Sequence, residues 1–283
     1  MSKMKYCIIN KRTLIAIMSA ATIAVAAIVV AVASATAAPA AATSKQLPIY
    51  CTKQDKKTAS LSFDAAWGNE DTQELIDILG KYNVKATFFV VGQWVDKYPE
   101  SVKALADAGH EIMNHSDTHP HMPNLSRDEM AEQINNCNDK IEKITGKRPI
   151  LFRAPYGDYD NATLEAVKSQ GMYCIQWDVD SLDWKDKTAD EITQRVTSKV
   201  QPGSICLFHN AAKHTPKALP KLIEKLQADG YTLVPISQLI YKENYTIDVE
   251  GRQIPQSGLL TVPATSSTAS TASITAVSTA KAE

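Results

Sequence analysis

From Lys57 to about Leu239 the chain switches repeatedly between two spacings of apolar residues. Short runs rich in Val, Ile and Phe (ASLSF, ATFFVV, HEIM, PILF, MYCIQW, SICLF and YTLVPI) have the length and composition of buried strands. Between them lie segments with apolar residues at helical spacing: DTQELIDILGKY, PESVKALADAG, SRDEMAEQINNCNDKIEKITG, NATLEAVKSQG, ADEITQRVTSKV and TPKALPKLIEKLQADG. Ser126 followed by Glu129 predicts a capping box, Pro99 suits a first helical turn, and Gly109, Gly146, Gly171 and Gly230 suit positions just past helix ends. Seven strand-helix repeats between residues 57 and 239 predict one α/β domain built on a parallel sheet or barrel.

Polar residues fall repeatedly at the carboxyl ends of the expected strands. Asp64 follows ASLSF, Asn114 and His115 follow HEIM, Arg153 follows PILF, Asp178 and Asp180 follow MYCIQW, and His209 follows SICLF. In a parallel barrel those ends converge on one face, where barrel enzymes place their chemistry, so residues far apart in the chain are expected to share one pocket.

The two ends of the chain depart from this pattern. Lys3, Lys5, Lys11 and Arg12 precede Leu14 to Ala33, a run in which Ser19 and Thr22 are the polar residues. At 1.5 Å rise per residue that run is long enough to span a bilayer, which favours an uncleaved membrane anchor, although Ala35-Thr36-Ala37 would suit cleavage of a signal. Either reading leaves the basic flank in the cytoplasm and exports the remainder, so the protein is expected at the cell membrane with an extracytoplasmic domain, or secreted. Residues 1–44 are therefore read as flank plus anchor or signal, 45–245 as the folded domain, and 246–283, rich in Ser, Thr and Ala, as a disordered tail.

A formal charge of −1 on 283 residues supplies no basic field for a polyanion, so no nucleic acid is expected as partner; a monomer is expected. Of five cysteines, Cys7 lies in the flank, and Cys51, Cys137, Cys174 and Cys206 show no CxxC spacing. Cys174 and Cys206 sit in apolar runs and read as buried thiols, and a Cys51–Cys137 bridge is the expectation for the other two.

Each strand-end residue has a chemical and a structural reading. In MNHSDTHPHMPNL, His115 and His119 have a spacing that places two imidazoles on one metal, with His121 close behind; otherwise the stretch is a solvated polar loop. Arg153, in FRAPYGD, has a fork suited to holding Asp64 ionised, or makes an ordinary ion pair. Pro155 fixes the turn, after which the Tyr156 amide could donate to a developing oxyanion. Beside a carboxylate from DVDSLDW (Asp178, Asp180 or Asp183), His209 would act as a general acid, and without one it is a structural histidine. Trp177 and Trp184 form an apolar wall, a sugar platform or plain core. Together these parts make metal-assisted hydrolysis of an acyl bond.

SFDAAWG, HSDTH, RAPYGD, DVDSLDW and LFH resemble, in order, the five motifs of the NodB-homology polysaccharide deacetylases, carbohydrate esterase family four, over about residues 55 to 240. The resemblance implies a distorted (β/α) barrel, a single catalytic domain, and removal of acetyl groups from N-acetylated sugars of peptidoglycan, chitin or xylan with a divalent metal, often zinc, with cobalt as an alternative. It implies Asp64 as general base, His115 and His119 as metal ligands, and Arg153 as the group positioning the base. It further implies Tyr156 as backbone oxyanion donor, His209 as general acid tuned by Asp183, and Trp184 as pocket wall contacting substrate. The family usually carries a second aspartate where this chain has Ala65, so one ligand is missing unless water, Glu70 or Asp71 substitutes, and weaker metal affinity follows. The SFDAAWG form, the N-terminal segment and the short single domain are most similar to a PdaB-like subgroup associated with spore formation in Gram-positive bacteria.

The leading expectation is an exported, metal-dependent hydrolase deacetylating the N-acetylglucosamine or N-acetylmuramic acid of cell-wall peptidoglycan. The alternatives are a wall-binding or morphogenetic protein on the same barrel, a chitin or chitooligosaccharide deacetylase, and a glycosidase using Asp64 with Asp180, which would need the carboxylates about 5 to 9 Å apart.

Overall fold

The computed structural model describes residues 45–256 together with 10–16, 18, 19 and 22. The run Leu14 to Ala33 and the tail beyond residue 256 lie largely outside the described residues; among those described, no helix is long and apolar enough to cross a membrane. The described residues before Leu47 and those from Leu47 onward belong to separate units, and the fold is that of the second.

Strand β2, Thr58–Ala65, shows how the domain is layered. Ala59, Leu61, Phe63 and Ala65 pack into an apolar layer shared with the surrounding helices, where Phe63 stacks on Phe88 and Phe208 at centroid distances of 4.8 and 5.5 Å. Ser60, Ser62 and Asp64 alternate with them and face the opposite side, as the two-residue period of a strand requires. The strands β3 (Thr87–Val90), β4 (Glu111–Asn114), β5 (Leu151–Phe152), β6 (Tyr173–Cys174), β7 (Val179–Asp180) and β8 (Ile205–His209) join β2 in parallel, in the order β6-β5-β4-β3-β2-β8-β7. This is chain order around a curled sheet that runs from β6 round to β7. Between those two edges the chain crosses as Ile175 to Asp178, braced by Ile49, whose carbonyl accepts from the Gln176 amide at 2.7 Å. The sheet is therefore a distorted (β/α) barrel, as expected. The short strand β9 (Thr232–Leu233) adds to the start of β2.

Helices α1 (Thr72–Lys81), α2 (Gly92–Lys97), α3 (Pro99–Asp107), α4 (Arg127–Thr145), α5 (Asn161–Ser169), α6 (Ala189–Thr197), α7 (Thr215–Ala228) and α8 (Ile236–Leu239) follow the strands. The capping box at Ser126 and Glu129 is present, and Gly146 ends α4 with φ of 69°, a left-handed turn glycine takes without strain. A second apolar cluster, with Phe89, Leu151, Ile175 and Ile205, fills the barrel interior. Each phenylalanine withdrawn from water in these layers contributes on the order of 1.5 to 3 kcal/mol.

Four expectations need correction. The tail does not begin at residue 246: β10 (Tyr245–Ile247) and β11 (Arg252–Pro255) form a three-stranded sheet with β1 (Cys51–Thr52), and the buried Gln253 side chain bonds the backbone of Tyr241 in both directions, at 2.9 and 2.8 Å. YTLVPI is not one strand, because Pro235 ends it and caps α8. Asp180 belongs to its own strand, β7, rather than to the end of MYCIQW. No Cys51–Cys137 bridge exists; Cys51, Cys137, Cys174 and Cys206 are all buried free thiols.

One buried base reports on stability. His110 is 6 % exposed, its Nδ1 accepts from the Ala86 amide at 3.2 Å, and its edge meets Phe88. Burial, reinforced by the Lys85 charge, pushes its pKa down from 6.5 to about 4. Between those values the unfolded chain binds a proton that the folded chain refuses, so stability present above pH 6.5 is lost as pH falls toward 4, by on the order of 2 to 3 kcal/mol. Urea midpoints measured from pH 7 to pH 4 should therefore fall less steeply for His110→Asn, whose side-chain oxygen can still accept from Ala86, than for the wild type; equal slopes would refute this.

Candidate active site

The alternation that sends Asp64 away from the helices holds on the neighbouring strands. On β4 and its continuation, Ile112 and Asn114 face the helices, whereas Met113 and His115 face the interior. On β5, Phe152 packs outward while Leu151 and Arg153 turn inward; on β8, Cys206 and Phe208 pack outward while Ile205, Leu207 and His209 turn inward. Because β2 and β8 are in register with Asp64 opposite His209, the interior-facing strand ends meet at one level. There they form a pocket of about 530 Å³ whose lining includes Asp64, His115, His119, Tyr156, Trp184 and His209.

The floor of the pocket is an ion pair. Arg153 is fully buried, and its guanidinium donates to Asp64 Oδ1 at 2.7 Å, Ser62 Oγ at 2.9 Å and the Gln176 carbonyl at 3.2 Å while lying 4.1 Å over the Phe89 ring. Burial alone would raise the Asp64 pKa, but the Arg153 charge, followed by His115 and His209, outweighs it and holds the carboxyl below its ordinary range. Asp64 is thus an ionised carboxylate whose second oxygen lies 3.5 Å from His115 Nε2.

His209 is prepared in the opposite sense. Its Nδ1 meets Asp183 Oδ1 at 2.8 Å, and its backbone amide donates to Asp183 Oδ2 at 2.8 Å. The same carboxylate accepts from Thr215 Oγ1 at 2.7 Å and from the Trp184 amide at 2.9 Å, which fixes its orientation. Burial disfavours the imidazolium, but the Asp183 hydrogen bond and charge, with Asp64 and Asp180 beyond, raise the His209 pKa above 6.5.

The histidine loop is held from behind. Gln133 Oε1 accepts from the Asp117 and Thr118 amides at 3.0 and 2.9 Å, and Lys140 binds both Asp117 and Asp96. His115 Nδ1 bonds the Arg153 carbonyl at 2.8 Å, and the two rings, His115 and His119, meet edge to face at 5.0 Å. Burial lowers the pKa of both, that of His119 to about 4, so both present neutral nitrogens. His119 Nδ1 is buried without a partner among the described residues. Two imidazoles are suitable donors for a divalent metal, but a zinc site with one open position takes three protein ligands, and no group of three His, Cys, Asp or Glu donors occurs among the described residues. Ala65 follows the helix-facing register, packs in the outer core at 1 % exposure and lies outside the pocket lining. Neither carboxylate considered as a substitute lines the pocket: Glu70 folds over Gly68, and Asp71 accepts from the Ala211 amide at 2.8 Å. The residues present do not complete a protein metal site.

Asn114 and Asp178, expected at the shared face, are structural. Asn114 bonds the Ile134 carbonyl and Asn138 of α4, each at 2.8 Å, and Asp178 accepts from the Ile205 amide and Ser204 Oγ. Asp180, Trp177 and Leu207 do line the pocket, as does Trp67, which the sequence reading passed over although it lies inside SFDAAWG. An aromatic residue three positions past a strand-end acid was the available signal.

A model of the polysaccharide deacetylase family matches residues 52–175, and a peptidoglycan N-acetylglucosamine deacetylase of Bacillus cereus is 34% identical over 189 residues, 65% of this chain and 69% of its own length. The chain belongs to the polysaccharide deacetylase family. Another member, the peptidoglycan N-acetylmuramic acid deacetylase PdaC of Bacillus subtilis, is 39% identical over 65% of this chain, which spans only 39% of PdaC. An uncharacterised relative from the same organism, YlxY, is spanned to 60%. Among solved structures, a Bacillus anthracis protein described as a carbohydrate esterase family four pseudoenzyme aligns with TM-score 0.67 and 38% identity, covering 69% of each chain. A mutant of that pseudoenzyme, described as having restored activity, matches equally well at 39% identity.

Family members are generally metal-dependent, and with two imidazoles alone this site should bind zinc weakly. Calorimetric titration is expected to give a dissociation constant of about micromolar or weaker, against the far tighter binding of complete sites, and no binding for His119→Ala. Nanomolar binding would reveal a third protein ligand.

Proposed function

We propose that this protein removes N-acetyl groups from a cell-wall glycan of the peptidoglycan class by hydrolysis. The observation that carries the reading is the placement of Asp64 and His209 as direct partners on adjacent strands, prepared for opposite proton roles. Arg153 keeps Asp64 ionised and able to take a proton from water; Asp183 favours the protonated form of His209, able to give one to the departing nitrogen. Water adds to the acetyl carbon, the carbon–nitrogen bond breaks, the amine leaves with the His209 proton, and acetate is released. Tyr156, held with φ of 61° between Pro155 and Gly157, lines the pocket where its amide would meet the oxyanion. Trp184 closes the wall.

The named relatives that act on peptidoglycan support the substrate class, and export rests on the apolar run Leu14 to Ala33 behind a basic flank, which also underlies membrane anchoring. A role in spore formation rests on the resemblance to the PdaB-like subgroup carried by SFDAAWG, the N-terminal segment and the short single domain. A second reading, a wall-binding protein that has lost turnover, is favoured by Ala65 and by the pseudoenzyme neighbours.

The full chain incubated with purified cell-wall glycan, with and without added zinc or cobalt, is expected to release acetate, and Asp64→Asn to lower the rate about a hundredfold or more. Glycan binding with no acetate under any condition would favour the second reading, and new reducing ends would indicate a glycosidase. Because Asp183 raises the His209 pKa, removing its charge lowers that pKa, so the acid loses its proton at a lower pH. Asp183→Asn should therefore move the alkaline limb of the kcat/KM profile to lower pH; an unmoved limb would dissociate His209 from acid catalysis.

A further inference from the structure

Between residues 45 and 256 the large hydrophobic side chains left open to water are Trp67, Tyr156, Trp184 and Val249, with exposures of 65, 59, 57 and 94 %. The first three line the same pocket, and they reach it from three different loops, after β2, β5 and β7. Solvent-exposed aromatic rings gathered at the mouth of one cleft mark a surface that a ligand covers.

Trp67 is the member of this set with no other task. Its backbone is fastened on both sides: the Ala66 amide donates to Asn210 Oδ1 at 3.3 Å, and the Gly68 carbonyl accepts from Trp94 Nε1 at 2.9 Å and from Asn210 Nδ2. The indole itself stands at the rim, edge-on to His119 at a centroid distance of 5.6 Å. A rigid backbone presenting a bare indole is pre-organised for stacking, because binding orders no loop. Nearby, the Tyr156 ring stacks on His121 at 4.2 Å, and His121 is tied to Asp158 at 2.9 Å, so this second rim aromatic is braced as well.

We infer that Trp67 stacks on the sugar ring adjacent to the one that reacts and is the residue that sets the affinity of the site for that neighbouring unit. The reacting acetamide must reach Asp64 and His209 on the pocket floor, which leaves the rim indole to the next unit of the chain. The face of a pyranose ring carries apolar C–H groups that match the flat indole surface, while its edge hydroxyls stay in water. This rests on the deacetylase reading for the identity of the reacting unit, but the stacking contact can be measured without turnover.

The test pairs binding with kinetics on the full chain. In the Asp64→Asn background, titration with the N-acetylglucosamine tetramer is expected to quench tryptophan fluorescence. Adding Trp67→Ala should weaken that binding about tenfold, and Trp67→Phe should recover most of it. With Asp64 intact, Trp67→Ala should raise KM for the tetramer by a similar factor with a smaller change in kcat, and narrow the preference for tetramer over monomer. The Phe variant guards against a folding defect, since it keeps a stacking face. Tetramer affinity and KM indifferent to Trp67 would overturn the inference while leaving a measured deacetylation intact. Trp67-dependent binding with no acetate release from any glycan would uphold the stacking contact and overturn the deacetylase reading on which the identity of the neighbouring unit rests. Absence of both binding and turnover would remove both.

Discussion

The site depends on one buried ion pair. Placing the Arg153 guanidinium and the Asp64 carboxylate inside the barrel costs desolvation that their mutual attraction repays only with good geometry and further hydrogen bonds. Ser62, Gln176 and the face of Phe89 supply those contacts, and each arrives from a different strand or from the crossing segment between the sheet edges. The pair therefore exists only when β2, β3, β5 and the segment 175–178 are assembled. Once formed, it keeps the carboxylate charged where burial alone would protonate it, and that charge in turn favours the imidazolium of His209 on the next strand.

His209 and Asp183 repeat this logic in mirror image. A carboxylate fixed by three donors favours the protonated form of a histidine, while a fixed guanidinium favours the ionised form of an aspartate. Register places the two dyads side by side, because Asp64 and His209 are partners in the β2–β8 ladder. The histidine pair His115 and His119 approaches the same carboxylate but lacks a third donor. Ala65, one residue beyond Asp64, falls on the helix-facing side of the pleat. An ionised aspartate beside a histidine paired to a carboxylate, with an incomplete set of metal donors, is the arrangement of a chain whose relatives include peptidoglycan deacetylases and a pseudoenzyme of which one mutant is described as having restored activity.

Much of this was open to inspection along the chain. Asp64, His115, Arg153 and His209 were recognisable because each follows an apolar run, and parallel strand ends converge whatever the details of the barrel. Helix limits such as Ser126 to Gly146 were readable because caps are local chemistry. Features that failed to show were those resting on contacts between distant segments. Asn114 and Asp178 carry the same strand-end signature as the site residues, yet they bond to α4 and to β8. The strands β10 and β11 were hidden in a polar stretch, because β11 is held by pairing with β1 some two hundred residues earlier rather than by its own hydrophobic pattern.

By itself the sequence determined the α/β order of elements, the family, and the chemical types gathered at one end of the barrel, since periodicity, caps and motif order are properties of neighbouring residues. Which of several nearby carboxylates serves His209, which strand-end residues turn into the pocket, and that the alanine after Asp64 turns away from it were decided by tertiary structure. Those outcomes depend on strand register and pleat, and register is settled only when distant strands pair.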